Sequence, residues 1–426
     1  MLYSAQNRDQ AGSVDWRTAW AALAVVILMM VTTGQARAQS LTVLHTFTGG
    51  QDGAHPLTGL TMDQGGDLYG TTELGDFGFG ALFELKRTSS GFIFKPLYGF
   101  TGGADGSEPQ GRLTIGPNGS LYGTTRQGGI NCNGNGCGTV FNLQPPARTC
   151  QTTACPWLKT TLYAFTTDAG PVAGVTFDPA GNLYGTAPYG GAQFGFVYKL
   201  SQARGGWTES VVYNFQGGED GSNPVGAVLF DRAGDLYGQT RYGGLGAGEV
   251  YQLTPAGGNW TKNTIFSFPG GAEGGGPDSD LILDAAGNLY GDTGWLSLSG
   301  NPGTVFQLTP SGGNWSYSLL YGFPPGPQGA GYVSSLVMDG AGNLYGTTSA
   351  GGVFNADCPD GCGTVFELTP SAGGWLYTDL HDFTGGSDGA LPFSNVVLDA
   401  SGNLYGTTDY GGSGGCGCGV VWEITP

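Results

Sequence analysis

SLVMDGAGNLYGTT, residues 335–348, reads as a β-hairpin. Ser335 to Met338 form a short strand, Asp339 to Gly342 a tight turn, and Asn343 to Thr348 the returning strand. An aspartate at the first turn position accepts hydrogen bonds from the backbone ahead of it. A glycine at the last position takes a positive φ without a Cβ clash. After an insert the chain runs on as GTVFELTPSAGGWLYTDLHDF, residues 363–383, which supplies a third and a fourth strand.

The phrase returns seven times, around Tyr69, Tyr122, Tyr184, Tyr237, Tyr290, Tyr345 and Tyr405, at spacings of 53, 62, 53, 53, 55 and 60 residues. Units of this length built from short β patterns cannot bury a face alone and must stack or close on one another. The turn aspartate is kept as Asp63, Asp178, Asp231, Asp284, Asp339 and Asp399, and the second unit has Gly116-Pro117-Asn118-Gly119 instead. A residue that serves a hairpin in unit after unit is architectural and not catalytic. The glycine after each tyrosine (Gly70, Gly123, Gly185, Gly238, Gly291, Gly346, Gly406) weakens a strand by itself, so its repetition predicts a ring or backbone packed close against it. Third strands carry Phe83, Phe141, Tyr198, Tyr251, Phe306, Phe366 and Trp422; fourth strands carry Phe47, Phe100, Phe165, Phe215, Phe268, Phe323 and Phe383. Two aromatics per unit predict a core that repeats radially.

The phase of the repeat predicts closure. The first strand after the leader, Leu41 to Phe47, reads as a lone fourth strand, and Gly419 to Thr425 reads as a third. Joining the two ends gives every unit four strands and removes an exposed edge, whereas an open solenoid needs polar caps that neither end offers. The expected fold is therefore an all-β, seven-bladed propeller of four-stranded blades, closed by pairing residues 41–47 with the last blade.

The phrase D-x-x-G-N-L-Y-G-T-T, followed by G-T-V-F-x-L-T-P and G-G-x-W, resembles the GloVer (Gloeo/Verruco) tandem repeat of exported bacterial proteins over nearly all of the chain after the leader. The resemblance implies a surface or secreted repeat protein, often with a separate anchor; none is expected here before the chain stops at Pro426. The first hairpin alone also resembles those of NHL and gluconolactonase-type propellers.

Residues 1–38 read as a secretory signal peptide: Arg8 and Arg17 precede the apolar run Ala19 to Val31, and Ala36-Arg37-Ala38 is a small-x-small cleavage site. Thirteen apolar residues are short for a span, which needs about 20. Residues 39–426 are then one domain, secreted, periplasmic or on the cell surface, with no membrane span. The whole chain carries a net charge of −18, and without residues 1–38 it keeps 12 basic and 31 acidic residues, net −19. This excludes nucleic acid and anionic membrane as natural partners. The 83 glycines and 23 prolines favour disorder by composition, but the regular aromatic positions outweigh them.

The eight cysteines fall into close pairs, Cys132 with Cys137, Cys150 with Cys155, Cys358 with Cys362 and Cys416 with Cys418, which in an exported chain read as local disulfides pinning loops. The last two are so near in sequence that crossing to Cys358 and Cys362 is an alternative pairing. No pair has C-x-x-C spacing and no histidine lies nearby, which argues against a metal.

In a propeller the loops from fourth to next first strand share a face with those from second to third strand. The first set reads GG-x-D-G-x-x-P with Asp52, Asp105, Asp220 and Asp388, and Glu273 in the fifth unit. Asp-Gly is first a turn dipeptide; the alternative is an acidic ring that draws a cation or an amine. The second set differs most between units, with inserts at Gln127 to Cys137, Ala350 to Cys362 and Tyr410 to Cys418. It places Tyr189, Tyr242, Trp295, Phe354 and Tyr410 beside Asn and Asp, as carbohydrate-binding surfaces do, although single exposed aromatics are common. Asn131, Asn133 and Asn135, and Asn355, Asp357 and Asp360, have the alternation of calcium ligands but no later bidentate glutamate, so calcium is the one cofactor admitted and turns are the simpler reading. His45 and His381 stand where other units have tyrosine or phenylalanine and read as packing. His55 alone is placed for chemistry, without a paired base in sequence. Gln239 and Asp292 break the threonine pattern after Tyr-Gly, as a site or as drift. The candidate ligand-binding set is thus Asp52, His55, Asp105, Tyr189, Tyr242, Trp295, Phe354, Asp357 and Tyr410, with no catalytic residue assigned. A binding or interaction module for a glycan or other envelope ligand is expected, against a metal-dependent lyase or lactonase and a purely structural envelope protein.

Overall fold

The hairpin of residues 335–348 is held by its aspartate. Asp339 Oδ1 accepts hydrogen bonds from the amides of Ala341 (2.8 Å) and Asn343 (2.9 Å), while Oδ2 accepts from Asn343 Nδ2 (2.9 Å) and the Tyr345 hydroxyl (3.3 Å). The same arrangement fixes Asp284 and Asp399. Partial burial alone raises these two carboxyls, but the donors around them outweigh it and hold both below the usual range. Replacing Asp339 by alanine is expected to lower stability by about 1–2 kcal/mol, since two backbone amides and the Asn343 side-chain amide lose their acceptor. A urea titration checks this, and an unchanged midpoint contradicts it.

The computed structural model describes residues 39–75, 78–129, 137–146, 156–294, 303–324 and 333–425. Cys132, Cys150, Cys155, Trp295, the Asn131–Asn135 pattern and the leader lie outside them. Ser40–Thr425 form one compact unit. It is a ring of seven antiparallel sheets, the first made of Leu60–Met62, Leu68–Thr72, Ala81–Thr88 and Gly91–Gly99. The last combines Val397–Leu398, Leu404–Thr408 and Val420–Thr425 with Ser40–Thr46 from the other end of the chain, in register from Ser40 opposite Thr425 to Thr46 opposite Val420. Closure by the N-terminal strand is therefore present. One blade carries an extra short strand, Ser222–Pro224.

The core lies between blades as much as within them. At each of the seven seams the phenylalanine that ends one fourth strand meets the third-strand aromatic of the next blade edge-on or tilted. Phe47 meets Phe83 at 5.3 Å, Phe323 meets Phe366 at 5.0 Å, and Phe383 meets Trp422 at 5.9 Å between ring centroids. Such pairs bury much apolar area and add about 0.5–1.5 kcal/mol beyond it. These phenylalanines, expected within the fourth strands, sit one residue past the observed strand ends, each amide bonded to a glycine carbonyl, as Phe100 is to Gly80 at 2.9 Å. The repeated Tyr-Gly glycines answer to the third strand: a Cβ on Gly346 would stand 2.7 Å from Phe366 Cζ, and one on Gly406 2.3 Å from Trp422 Cζ2.

Each third–fourth pair contains a β-bulge at one place, with Leu380, Leu320 and Leu97 among the extra residues. The bulge turns these leucines toward the core next to Tyr98, Tyr321 and His381. First strands are shorter than expected, Val337–Met338 in place of Ser335 to Met338, because Ser335 accepts a hydrogen bond from the Asp280 amide of the neighbouring blade (3.0 Å).

Candidate functional site

Antiparallel order places the fourth-to-first and second-to-third loops on one face, and the two sets bridge each other there: Ala54 pairs with Leu74, Ser107 with Gln127, and Ala390 with Tyr410. The first loop of each such pair delivers a residue immediately before a proline, with positive φ at His55 (59°), Glu108 (53°), Asn223 (60°) and Leu391 (55°). Non-glycine residues tolerate this region at a cost, and the loop pairing on both sides holds them in it. Their side chains therefore start from a fixed backbone.

His55 finds the partner that sequence reading did not supply. Its Nδ1 lies 2.9 Å from Asp409 Oδ1, across the seam between the first and last blades, and its ring meets Tyr410 edge-on at 5.0 Å. Asp409 is 6% exposed. Burial pushes its carboxyl up to about 6, His55 opposes the shift and Glu73 adds to it. An ionised Asp409 fixes the tautomer with the proton on Nδ1 and leaves Nε2 as the nitrogen for a ligand.

Leu57, two residues on from His55, joins Arg126, Tyr189, Asn223, Arg241, Gln110 and Asp278 in lining a cavity of about 310 Å³. Arg126 is paired with Glu108 at 3.3 Å and Arg241 with Asp278. Asp409, Arg126 and Arg241 were missed in the sequence. They share one repeat register, the residue after the second-strand Thr-Thr or Gln-Thr pair, occupied in other blades by Glu73, Pro188, Gly294 and Ser349. Chemical variety at a single register was the signal available.

The remaining predicted residues divide. Tyr189 reaches the cavity, and Tyr410 touches His55. Tyr242 ends its strand, 36% exposed. Phe354 and Asp357 stand exposed on the loop of residues 350–362, which is closed by a Cys358–Cys362 disulfide and by Asn355, whose Oδ1 accepts from the amides of Asp357 and Cys358. Asn355 thus serves its own turn. Asp52 and Asp105 are directed to fourth strands at the blade edge opposite the first strands. Asp52 accepts from the Thr48 amide (2.9 Å) and lies 3.2 Å from His45 Nε2; Asp105 accepts from the Thr101 amide (2.9 Å), the Tyr98 hydroxyl (2.8 Å) and Lys159 Nζ (2.9 Å). His45 and His381 replace that tyrosine and reach the same turn aspartate, Asp52 and Asp388. The Asp-Gly residues serve as turn clasps.

Cys416 pairs with Cys418, so the crossed alternative is not the one formed, and Cys137 is also disulfide-bonded. Among the described residues no group of three or more His, Cys, Asp or Glu is arranged to hold a metal ion, and no helix is long and apolar enough to cross a membrane.

Exposed large apolar side chains are segregated. Leu74, Phe79, Tyr189, Phe194, Leu245, Val353, Phe354, Phe393 and Tyr410 lie in the loops of this face and Tyr242 at the strand end that borders them, and the remainder lie on fourth strands. Among the described residues none lies on the turns of the opposite face. A wet surface that collects aromatics on one side of a polar opening is suited to binding.

A family model for the Gloeobacter/Verrucomicrobia repeat matches residues 30–217, 134–356 and 297–426. Among solved structures, PorZ of Porphyromonas gingivalis, a bacterial surface component of the type-IX secretion system, is 14% identical with a TM-score of 0.44. The match covers 81% of this chain and 44% of PorZ, so this chain spans less than half of that protein. A protein of unknown function from Dyadobacter fermentans is 8% identical over 91% of this chain and 98% of its own, also with a TM-score of 0.44. No curated protein matches.

Proposed function

This chain belongs to the Gloeobacter/Verrucomicrobia repeat family, and from that premise we propose that it is an exported binding module which takes a carbohydrate of the cell envelope or its surroundings on the loop face. The observation that carries the reading is the segregation of exposed aromatics to that face, which also holds an opening lined by Arg126, Asn223 and Arg241 and the His55–Asp409 pair. Sugars are held by flat aromatic faces flanked by planar polar groups, and this face supplies both. Export is supported by the leader-like residues 1–38 and by disulfides such as Cys358–Cys362 and Cys416–Cys418, which persist in oxidising compartments.

The test is a glycan array followed by titration calorimetry on the best binder. Phe354→Ala and Tyr410→Ala together are expected to weaken binding at least about tenfold, or 1.4 kcal/mol, with the melting temperature nearly unchanged, since both rings are about half exposed (47% each) and outside the blade core. Lost stability with binding intact would sink the reading. A second reading, a propeller enzyme, is favoured by the His55–Asp409 pair alone, because a carboxylate-oriented imidazole is a competent general base. Turnover of the bound glycan that vanishes in His55→Gln while binding survives would select it.

A further inference from the structure

One register of the second strand stitches each blade to the next. Thr71 Oγ1 donates to the Pro109 carbonyl (3.1 Å), Thr124 to Ala173 (2.9 Å), Thr186 to Gly226 (3.0 Å), Thr347 to Pro392 (2.9 Å) and Thr407 to Pro56 (2.6 Å), the last closing the ring. Gln239 occupies the register in the fourth blade and its amide does the same work, Nε2 donating to the Ser279 carbonyl at 2.9 Å. All six groups are hydrogen-bond donors.

The seventh position is Asp292. It is wholly buried, its Oδ2 accepts from Ser279 Oγ at 2.5 Å, and its Oδ1 has no partner. In the sixth blade Ser334 stands two residues before Leu336, as the acceptors Ala173, Gly226 and Ser279 stand two before Val175, Val228 and Leu281, so its carbonyl is the equivalent acceptor for this position. A carboxylate cannot donate to a carbonyl, but a carboxylic acid can. The charged groups around Asp292 also disfavour ionisation. Asp278 and Asp280 stand on either side of Ser279 in its own blade; Arg241, on the facing strand of the fourth blade, is paired with Asp278; the sixth blade presents the neutral Ser334 and Ser335. Asp280 accepts from the Ala227 amide at 2.7 Å, and Arg112 borders the channel beneath it.

We propose that Asp292 is a proton-binding site, a neutral carboxylic acid at pH 7 that donates to the Ser334 carbonyl, completes the ring of interblade hydrogen bonds and makes closure of the propeller pH-dependent. Burial, which Ser279 only partly offsets and to which Asp278 and Asp280 add, raises the carboxyl well above its ordinary range. The unfolded chain releases this proton near pH 3.9. Between that pH and the folded-state value the native protein binds the extra proton, so this contribution to stability is complete below about pH 4 and is lost as pH rises through the folded pKa, by at most about tenfold in the folding equilibrium per pH unit.

The experiment is chemical denaturation of wild type, Asp292→Asn and Asp292→Thr from pH 5 to 9, with infrared spectra of wild type over the same range. An amide or a hydroxyl donates at any pH, so both variants are expected to gain on wild type as pH rises, at least tenfold in relative folding equilibrium across the range. Wild type at pH 7 is expected to show the carbonyl stretch of a protonated carboxylic acid, absent from Asp292→Asn. Parallel pH curves for wild type and variants, or no protonated-acid band in wild type, would overturn the proposal. So would stabilisation of wild type but not Asp292→Asn by added calcium, since the site would then hold a cation instead. If neither variant folds, the wild-type infrared titration decides.

Discussion

Protein lacking residues 39–47 is expected to show no cooperative unfolding transition and to aggregate. The deletion removes the strand paired with Val420–Thr425 and leaves that strand's backbone groups as an open edge. It also removes Phe47, fully buried and set against Phe83 and Phe94, together with Leu41, Val43 and Leu44 from two core clusters. Loss of the phenylalanine ring alone costs about 3–5 kcal/mol. With the aliphatic side chains and the strand pairing added, the total reaches the 5–15 kcal/mol (roughly) that separates folded from unfolded in most domains. Size-exclusion chromatography and a circular-dichroism melt measure it. A synthetic peptide of residues 39–48 is expected to restore a folded monomer by adding back the strand. Deleted protein that melts like the parent would mean that the ring is held elsewhere.

Phe366→Ala is expected to destabilise the protein by about 3–5 kcal/mol, because the ring is fully buried against Phe323 at 5.0 Å and Tyr377 at 6.1 Å. Gly346→Ala pushes a methyl group to 2.7 Å from the same ring and is expected to cost about 1–3 kcal/mol. The two together should cost less than their sum by more than about 0.5 kcal/mol, since removal of the ring makes space for the methyl. Guanidinium titrations of the four proteins give the coupling. Strict additivity would mean that the glycine is there for backbone reasons and not for the ring.

Much of the fold was legible because it is written in contacts a few residues apart. The Asp339 turn uses donors two to six residues ahead, the disulfides Cys358–Cys362 and Cys416–Cys418 close within a single loop, and repetition turned one readable hairpin into seven. Closure was legible from phase alone, since a lone fourth strand at one end and a third at the other have one economical partner. The Asp-Gly loops were ambiguous in sequence: a turn and an anion ring use the same residues. Only the fourth strand, which puts Tyr98 and Lys159 around Asp105, decided for the turn.

The candidate site was much less legible. His55 was picked out, but its partner Asp409 is 354 residues away, and no local pattern ties the two before the ring closes. The bulges at Leu97, Leu320 and Leu380 turn consecutive apolar residues inward, so alternation read from sequence places them wrongly by one. Asp292 read in the sequence as a site or as drift from threonine, and it becomes a distinct chemical group only when the donors of the other blades are seen to point at carbonyls of their neighbours. By itself the sequence determined the units, their turns, their aromatic core positions and their closure, all fixed by short-range hydrogen bonding and periodic apolar burial. Tertiary structure decided which side chains meet across blade seams, because those distances are set by ring geometry and not by spacing along the chain.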